Sequence, residues 1–145
     1  MSRGLGWVQR ACLRVIHEHE EEANGGKPPT AYNIAATVYH VEPDEDGNRW
    51  INDAQHAAIR RALNGLQRQG RIIGFRDAGL ARDPPFDGRT QLANVWMTEK
   101  RAQKFVTDTL KRARNAARLG LNGAFEAALA KRVMKKMRAI GMKVS

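Results

Sequence analysis

A single cysteine, Cys12, leaves the chain without an intrachain disulfide or a cysteine-built zinc site. Cys12 falls on the apolar side of a predicted helix and reads as a buried structural thiol. Aromatic residues make up only 6% of the chain, so few rings are placed to stack single-stranded bases, which disfavours an RNA-binding reading. No stretch approaches the roughly 20 apolar residues of a membrane span. The first residues hold no apolar run of signal-peptide length, so a reducing, cytoplasmic setting is expected.

The motifs of common catalysis are missing as well. There is no phosphate-cradling glycine loop with lysine, no Gly-x-Ser-x-Gly elbow and no His-Glu-x-x-His. His17 and His19 stand two apart on a predicted helix and project in different directions, and His40 and His56 are isolated. Asp44, Glu45, Asp46, Gly47 and Asn48 resemble a calcium loop, but the glycine is at the wrong offset and no glutamate closes it. The expectation is a non-enzyme with no metal and no cofactor.

What is present is positive charge in one part of the chain. Residues 1–48 hold four Lys/Arg against eight Asp/Glu, a net of −4; residues 49–145 hold twenty-one against seven, a net of +14. From Glu99 onward the net is +10, equal to that of the whole protein. An excess this localised suits a polyanionic partner.

Hydrophobic periodicity and turn residues order the chain as helix, helix, helix, strand, loop, strand, helix, helix. The first helix spans residues 7–22, with Val8, Ala11, Cys12 and Val15 as its stripe and Trp7 and Ile16 at the margins. Glu18, Glu20, Glu21 and Glu22 crowd its C-terminal end, which the helix dipole disfavours. After a Gly/Pro break, Thr30 caps a second helix, 31–40, that buries Ile34, Ala35, Val38 and Tyr39. An acidic, turn-rich segment, 41–50, then leads to the third helix.

That third helix, 52–69, is the most informative element. Asn52 or Asp53 caps it, Ile59, Ala62, Leu63 and Leu66 form one apolar stripe, and Gly70 sits where a left-handed C-cap is wanted. The opposite side carries Asp53, Ala57, Arg60, Arg61, Asn64 and Arg68. Arginine pairs bidentately with guanine or phosphate, and asparagine with adenine; a solvated surface helix would carry the same residues. Strand candidates follow at 71–75 and 92–97, joined by a Gly/Pro-containing loop, 77–91. In the second strand Leu92, Asn94 and Trp96 alternate with Ala93, Val95 and Met97.

Thr98 caps a fourth helix, 99–119, with the stripe Ala102, Phe105, Val106, Leu110, Ala113 and Ala117. A final helix, 124–140, aligns Phe125, Leu129, Val133, Met137 and Ile140. These stripes could pair two copies of the chain, while the basic faces beside them could hold DNA backbone or lie on a membrane surface; dimerisation with nonspecific DNA attraction is the preferred expectation.

The run Ile59 to Ile72 resembles a recognition helix entering a wing, and Val95-Trp96-Met97-Thr98-Glu99-Lys100-Arg101 resembles the strand-to-helix junction of MarR-type and PadR-type regulators. With the element order, these stretches make residues 7–105 similar to the winged helix-turn-helix superfamily. The resemblance implies a mainly α fold with a small β-hairpin. It divides the chain into a DNA-binding domain, 1–98, and a basic C-terminal pair of helices, 99–145, as a candidate dimerisation region. It places the third helix in the major groove, with Gln55, His56, Arg60, Arg61 and Asn64 near bases. It makes 77–91 the wing, with Arg82 and Arg89 at the minor groove, and leaves Arg68, Arg71 and Arg76 for phosphates. The implied function is sequence-specific binding of double-stranded DNA in transcription regulation. The alternatives are a replication or DNA-packaging accessory protein and a winged-helix protein-interaction module.

Overall fold

The computed structural model describes residues 4–22, 27–76, 82–83 and 91–144, the pairs 82–83 and 91–92 by backbone alone. Among the described residues, five helices and a small antiparallel hairpin make the chain mainly α. The helices are α1 (Trp7–Glu21), α2 (Ala31–Val38), α3 (Asp53–Arg68), α4 (Glu99–Arg118) and α5 (Ala124–Ala139). The strands are β1 (Ile72–Arg76), β2 (Arg82–Asp83), β3 (Gln91–Leu92) and β4 (Asn94–Thr98). β1 pairs with β4, from Ile72 opposite Thr98 to Arg76 opposite Asn94. A short ribbon pairs Arg82 and Asp83, within the segment expected as an extended loop, with Leu92 and Gln91 at the start of the expected return strand.

Local chemistry sets the element ends. Thr30 and Asn52 each accept from the backbone three residues on, and Asn33 and Gln55 reach back to the cap backbone, so α2 and α3 both start in reciprocal capping boxes. α3 ends where Gly70, at φ +72°, lets its own N–H reach the Gln67 carbonyl and the Arg71 N–H reach the Leu66 carbonyl. This pair of bonds is a Schellman closure that a side chain at Gly70 would strain.

The hairpin separates two hydrophobic clusters. Ile72 and Trp96 face the first, with Cys12 and Ile16 of α1, Ile34 and Ala35 of α2, and Ile59, Leu63 and Leu66 of α3. Ile73, Phe75, Val95 and Met97 face the second, with Ala102 and Val106 of α4 and Leu129, Val133 and Met137 of α5. Strand alternation is thus used on both faces, giving a helix–sheet–helix arrangement. On the first face the Trp96 ring lies over Gly74, where a Cβ would come within 2.7 Å of it. Cys12 is fully buried, and burial pushes its thiol up to about 12, the state of an inert core cysteine.

Three expected packing positions change. Ile16, placed at the margin of α1, is fully buried, because the packed side of α1 centres between Cys12 and Ile16. Phe125 is 58% exposed and Ala117 is exposed, whereas Thr109 is fully buried in α4. An i+4 series rotates by about 40° per step at about 100° per residue, so across three steps Phe125 has turned about 120° from Met137. The stripes expected to need a second copy find their partner inside the chain: Val106, Leu129, Val133 and Met137 are covered by the hairpin.

Both edges of the hairpin are covered. Trp96 N–H donates to the Pro29 carbonyl at 2.9 Å, and Thr30 bridges Val95. On the other edge Gly74 N–H donates to Gln67 Oε1 at 2.8 Å, Lys136 Nζ donates to the Gly74 carbonyl, and Arg132 donates to the Arg76 carbonyl at 2.7 Å. Two cations of α5 therefore satisfy backbone that an open edge strand would expose.

Candidate nucleic-acid interface

The outer face of α3 is polar and open. Asp53, Ala54, Ala57, Arg60, Arg61, Asn64 and Arg68 are exposed, while Ile59, Ala62, Leu63, Gly65 and Leu66 are buried. Small side chains occupy the first turns and the arginines follow, so a groove-shaped partner could approach the helix start closely. The buried Gly65 is a legible signal of close packing, since a mid-helix glycine costs roughly 1 kcal/mol relative to alanine. A Cβ there would meet the Gln9 side-chain nitrogen of α1 at 2.7 Å.

The ten residues singled out from sequence do not form one set. Arg60, Arg61, Asn64 and Arg68 share the exposed face of α3. Gln55 is half-buried and engaged in capping: its Oε1 accepts from Asn52 N–H at 3.1 Å, and its own N–H donates to Asn52 Oδ1 at 2.7 Å. His56 is half-buried and engaged within the chain. Arg71 is exposed just past the helix and donates from Nε to Gln69 Oε1 at 3.0 Å. Arg76 is exposed at the end of β1. Arg82 has its backbone in β2, its side chain lying outside the described residues, as does the whole of Arg89.

The acidic segment ahead of α3 is folded on one carboxylate. Asp44 Oδ1 accepts from Asp46 N–H at 2.9 Å and Asn48 N–H at 2.8 Å, and Oδ2 accepts from the Trp50 indole at 2.6 Å. The Trp50 bond, then that from Asn48, holds the Asp44 carboxyl below its usual 3.8. These bonds consume Asp44 and leave Trp50 51% exposed beside the start of α3. A carboxyl with a depressed folded-state pKa contributes order that is complete above its usual value and is lost as pH falls through the lower one. Acidification is therefore expected to release the loop only below about pH 4. The emission difference between the wild type and Trp50→Phe should report it; a transition centred above about pH 5 would show that Asp44 does not hold the loop.

Sequence reasoning also missed the role of Glu20. Its Oε1 accepts from Thr98 N–H at 2.8 Å and its Oε2 from the Thr98 hydroxyl at 2.7 Å. The carboxylate that burdens the end of α1 thus sits at the positive start of α4, while Thr98 also accepts from Arg101 N–H. Glu99 in turn accepts from Lys143 N–H at 2.8 Å, holding the segment after α5 against α4. Beside these contacts lies an open hollow of about 400 Å³ lined by His17, Glu20, Arg71 and Lys100.

Among the described residues no cluster of three or more His, Cys, Asp or Glu could hold a metal ion, and no helix is long and apolar enough to cross a membrane. No protein-family model, curated protein or solved structure matches the chain.

Proposed function

We propose that the chain is a sequence-specific duplex-DNA-binding protein of the winged helix-turn-helix kind, acting in transcription regulation. The observation that carries this reading is the outer face of α3, where Arg60, Arg61, Asn64 and Arg68 stand exposed on a helix anchored by five buried residues. Three packed helices closed by a hairpin, with Thr30 bridged to β4, support the winged-helix assignment. In this reading α3 lies in the major groove and the segment 77–91 reaches the backbone or minor groove. The basic excess supplies most of the affinity and α3 most of the discrimination. A homodimer would draw on Leu119, Leu121 and Phe125, which stay exposed around the α4–α5 turn.

Arg61→Ala and Asn64→Ala test it. Each is expected to cost about 1–3 kcal/mol on a selected cognate duplex while leaving affinity for random duplex nearly unchanged. Equal losses on both would mean phosphate contact, and unchanged cognate affinity in both variants would remove α3 as the reader. The folded acidic loop with its exposed Trp50 favours a second reading, a protein-interaction module. Failure to shift any duplex at low salt would select it.

A further inference from the structure

Helix α5 runs along the edge of β1 in step with it. Arg132 donates to the Arg76 carbonyl at 2.7 Å and Lys136 to the Gly74 carbonyl. The two cations lie one helical turn apart, about 6 Å along the axis, and the two carbonyl residues about 6.6 Å apart along the strand. One turn of α5 thus matches two residues of β1. The contact continues to the end of α3, where a Cβ on Gly70 would lie 2.8 Å from the Ile140 carbonyl oxygen.

The same corner is held from α3. Gln67 reaches past the closure at Gly70, and its Oε1 accepts from Gly74 N–H at 2.8 Å. In a strand the N–H and C=O of one residue point to the same side, so Gln67 of α3 and Lys136 of α5 grip Gly74 on one edge. Only Gln69, Gly70 and Arg71 join α3 to β1, so any shift of β1 at Gly74 is passed to the end of α3. A surface that reads bases needs its side chains held to about 0.5 Å and 10–20° by groups locked behind them. Lys136 is half-buried with its ammonium on this backbone, the place of such a group.

We infer that Lys136 is a positioning residue for duplex reading: through Gly74 it sets the angle between α3 and the hairpin, with α5 as the splint, and it touches no DNA itself. The inference rests on the DNA-binding reading of α3. Its test uses the full chain and compares Lys136→Met, which keeps the aliphatic stem and loses the donor, with Lys136→Arg, which keeps a charged donor. Affinity is measured on a selected cognate duplex and on random duplex over a salt series, and amide hydrogen exchange is followed at Gly74 and at Leu63 in the middle of α3.

Lys136→Met is expected to lower the cognate-to-random affinity ratio by at least about tenfold, with random-duplex affinity within about threefold of wild type and the salt slope unchanged. Exchange at Gly74 should quicken, although Lys136 does not touch that N–H, while exchange at Leu63 holds. Lys136→Arg should keep the ratio within about threefold of wild type. Arg132→Met, one turn away at an exposed position, should lower the ratio by at least about threefold, and decides the matter if Lys136→Met does not fold. Three results overturn the inference. One is an unchanged ratio in both methionine variants. Another is a parallel loss on both duplexes with the salt slope reduced by about 0.9, which makes Lys136 a phosphate contact. The third is unchanged exchange at Gly74. A wild type that binds no duplex, or binds every duplex alike, overturns the DNA reading of α3 and this inference with it.

Discussion

Replacing Trp96 with alanine is expected to destabilise the protein by about 3–5 kcal/mol, a large part of the 5–15 kcal/mol typical of a domain. Trp96 is 5% exposed and lies in the cluster that joins α1, α2 and α3 to the hairpin. Its ring covers Gly74 on the neighbouring strand, and no other side chain at that pair can fill the space. Truncation therefore removes the ring and leaves a cavity above a glycine, where the backbone has little freedom to collapse. Gly74→Val should be damaging by the opposite route, because its Cβ would already lie within 2.7 Å of the indole. Urea unfolding of both variants measures the effect. A loss below about 1 kcal/mol for Trp96→Ala would mean that the hairpin is not anchored through this ring.

Ending the chain after Thr98 is expected to abolish cooperative folding. The cut would bare Ile73, Phe75, Val95 and Met97, each buried against α4 and α5 in the full chain. At roughly 1.5–3 kcal/mol per large apolar side chain, the four together are worth about 6–12 kcal/mol, comparable with the whole stability of a domain. The same cut removes Lys136 and Arg132 from the carbonyls of Gly74 and Arg76, opening the edge of β1. Thermal unfolding of the 1–98 fragment, followed by circular dichroism and one-dimensional NMR, is the measurement. A cooperative transition with dispersed methyl signals would show that the first cluster suffices and that the division at residue 98 is a true domain boundary. The full-length prediction is instead one transition shared by both clusters.

These expectations separate what is local from what is not. The caps at Thr30, Asn52 and Thr98, the glycine closure of α3 and the alternation of Val95, Trp96 and Met97 could all be read from the sequence. Each depends on groups within a few residues along the chain, so spacing and residue type suffice. The exposed face of α3 was legible for the same reason: its buried stripe leaves Arg60, Arg61, Asn64 and Arg68 nowhere else to go.

Periodicity names the apolar side of a helix without naming what covers it. The stripes of α4 and α5 read the same whether a second copy or the chain's own hairpin lies against them; tertiary packing chose the hairpin and left Phe125 uncovered. Glu20 looked unfavourable at the end of α1, and only the fold brings Thr98 to it across 78 residues. Lys136 and Arg132 looked like any other surface cations until the edge of β1 was placed beneath them. By itself the sequence determined the elements, their caps, the outer face of α3 and the uneven charge, because these rest on short-range chemistry and composition. Only the tertiary structure decided which apolar faces meet and which charges are spent on the backbone, because those depend on contacts between residues distant in sequence.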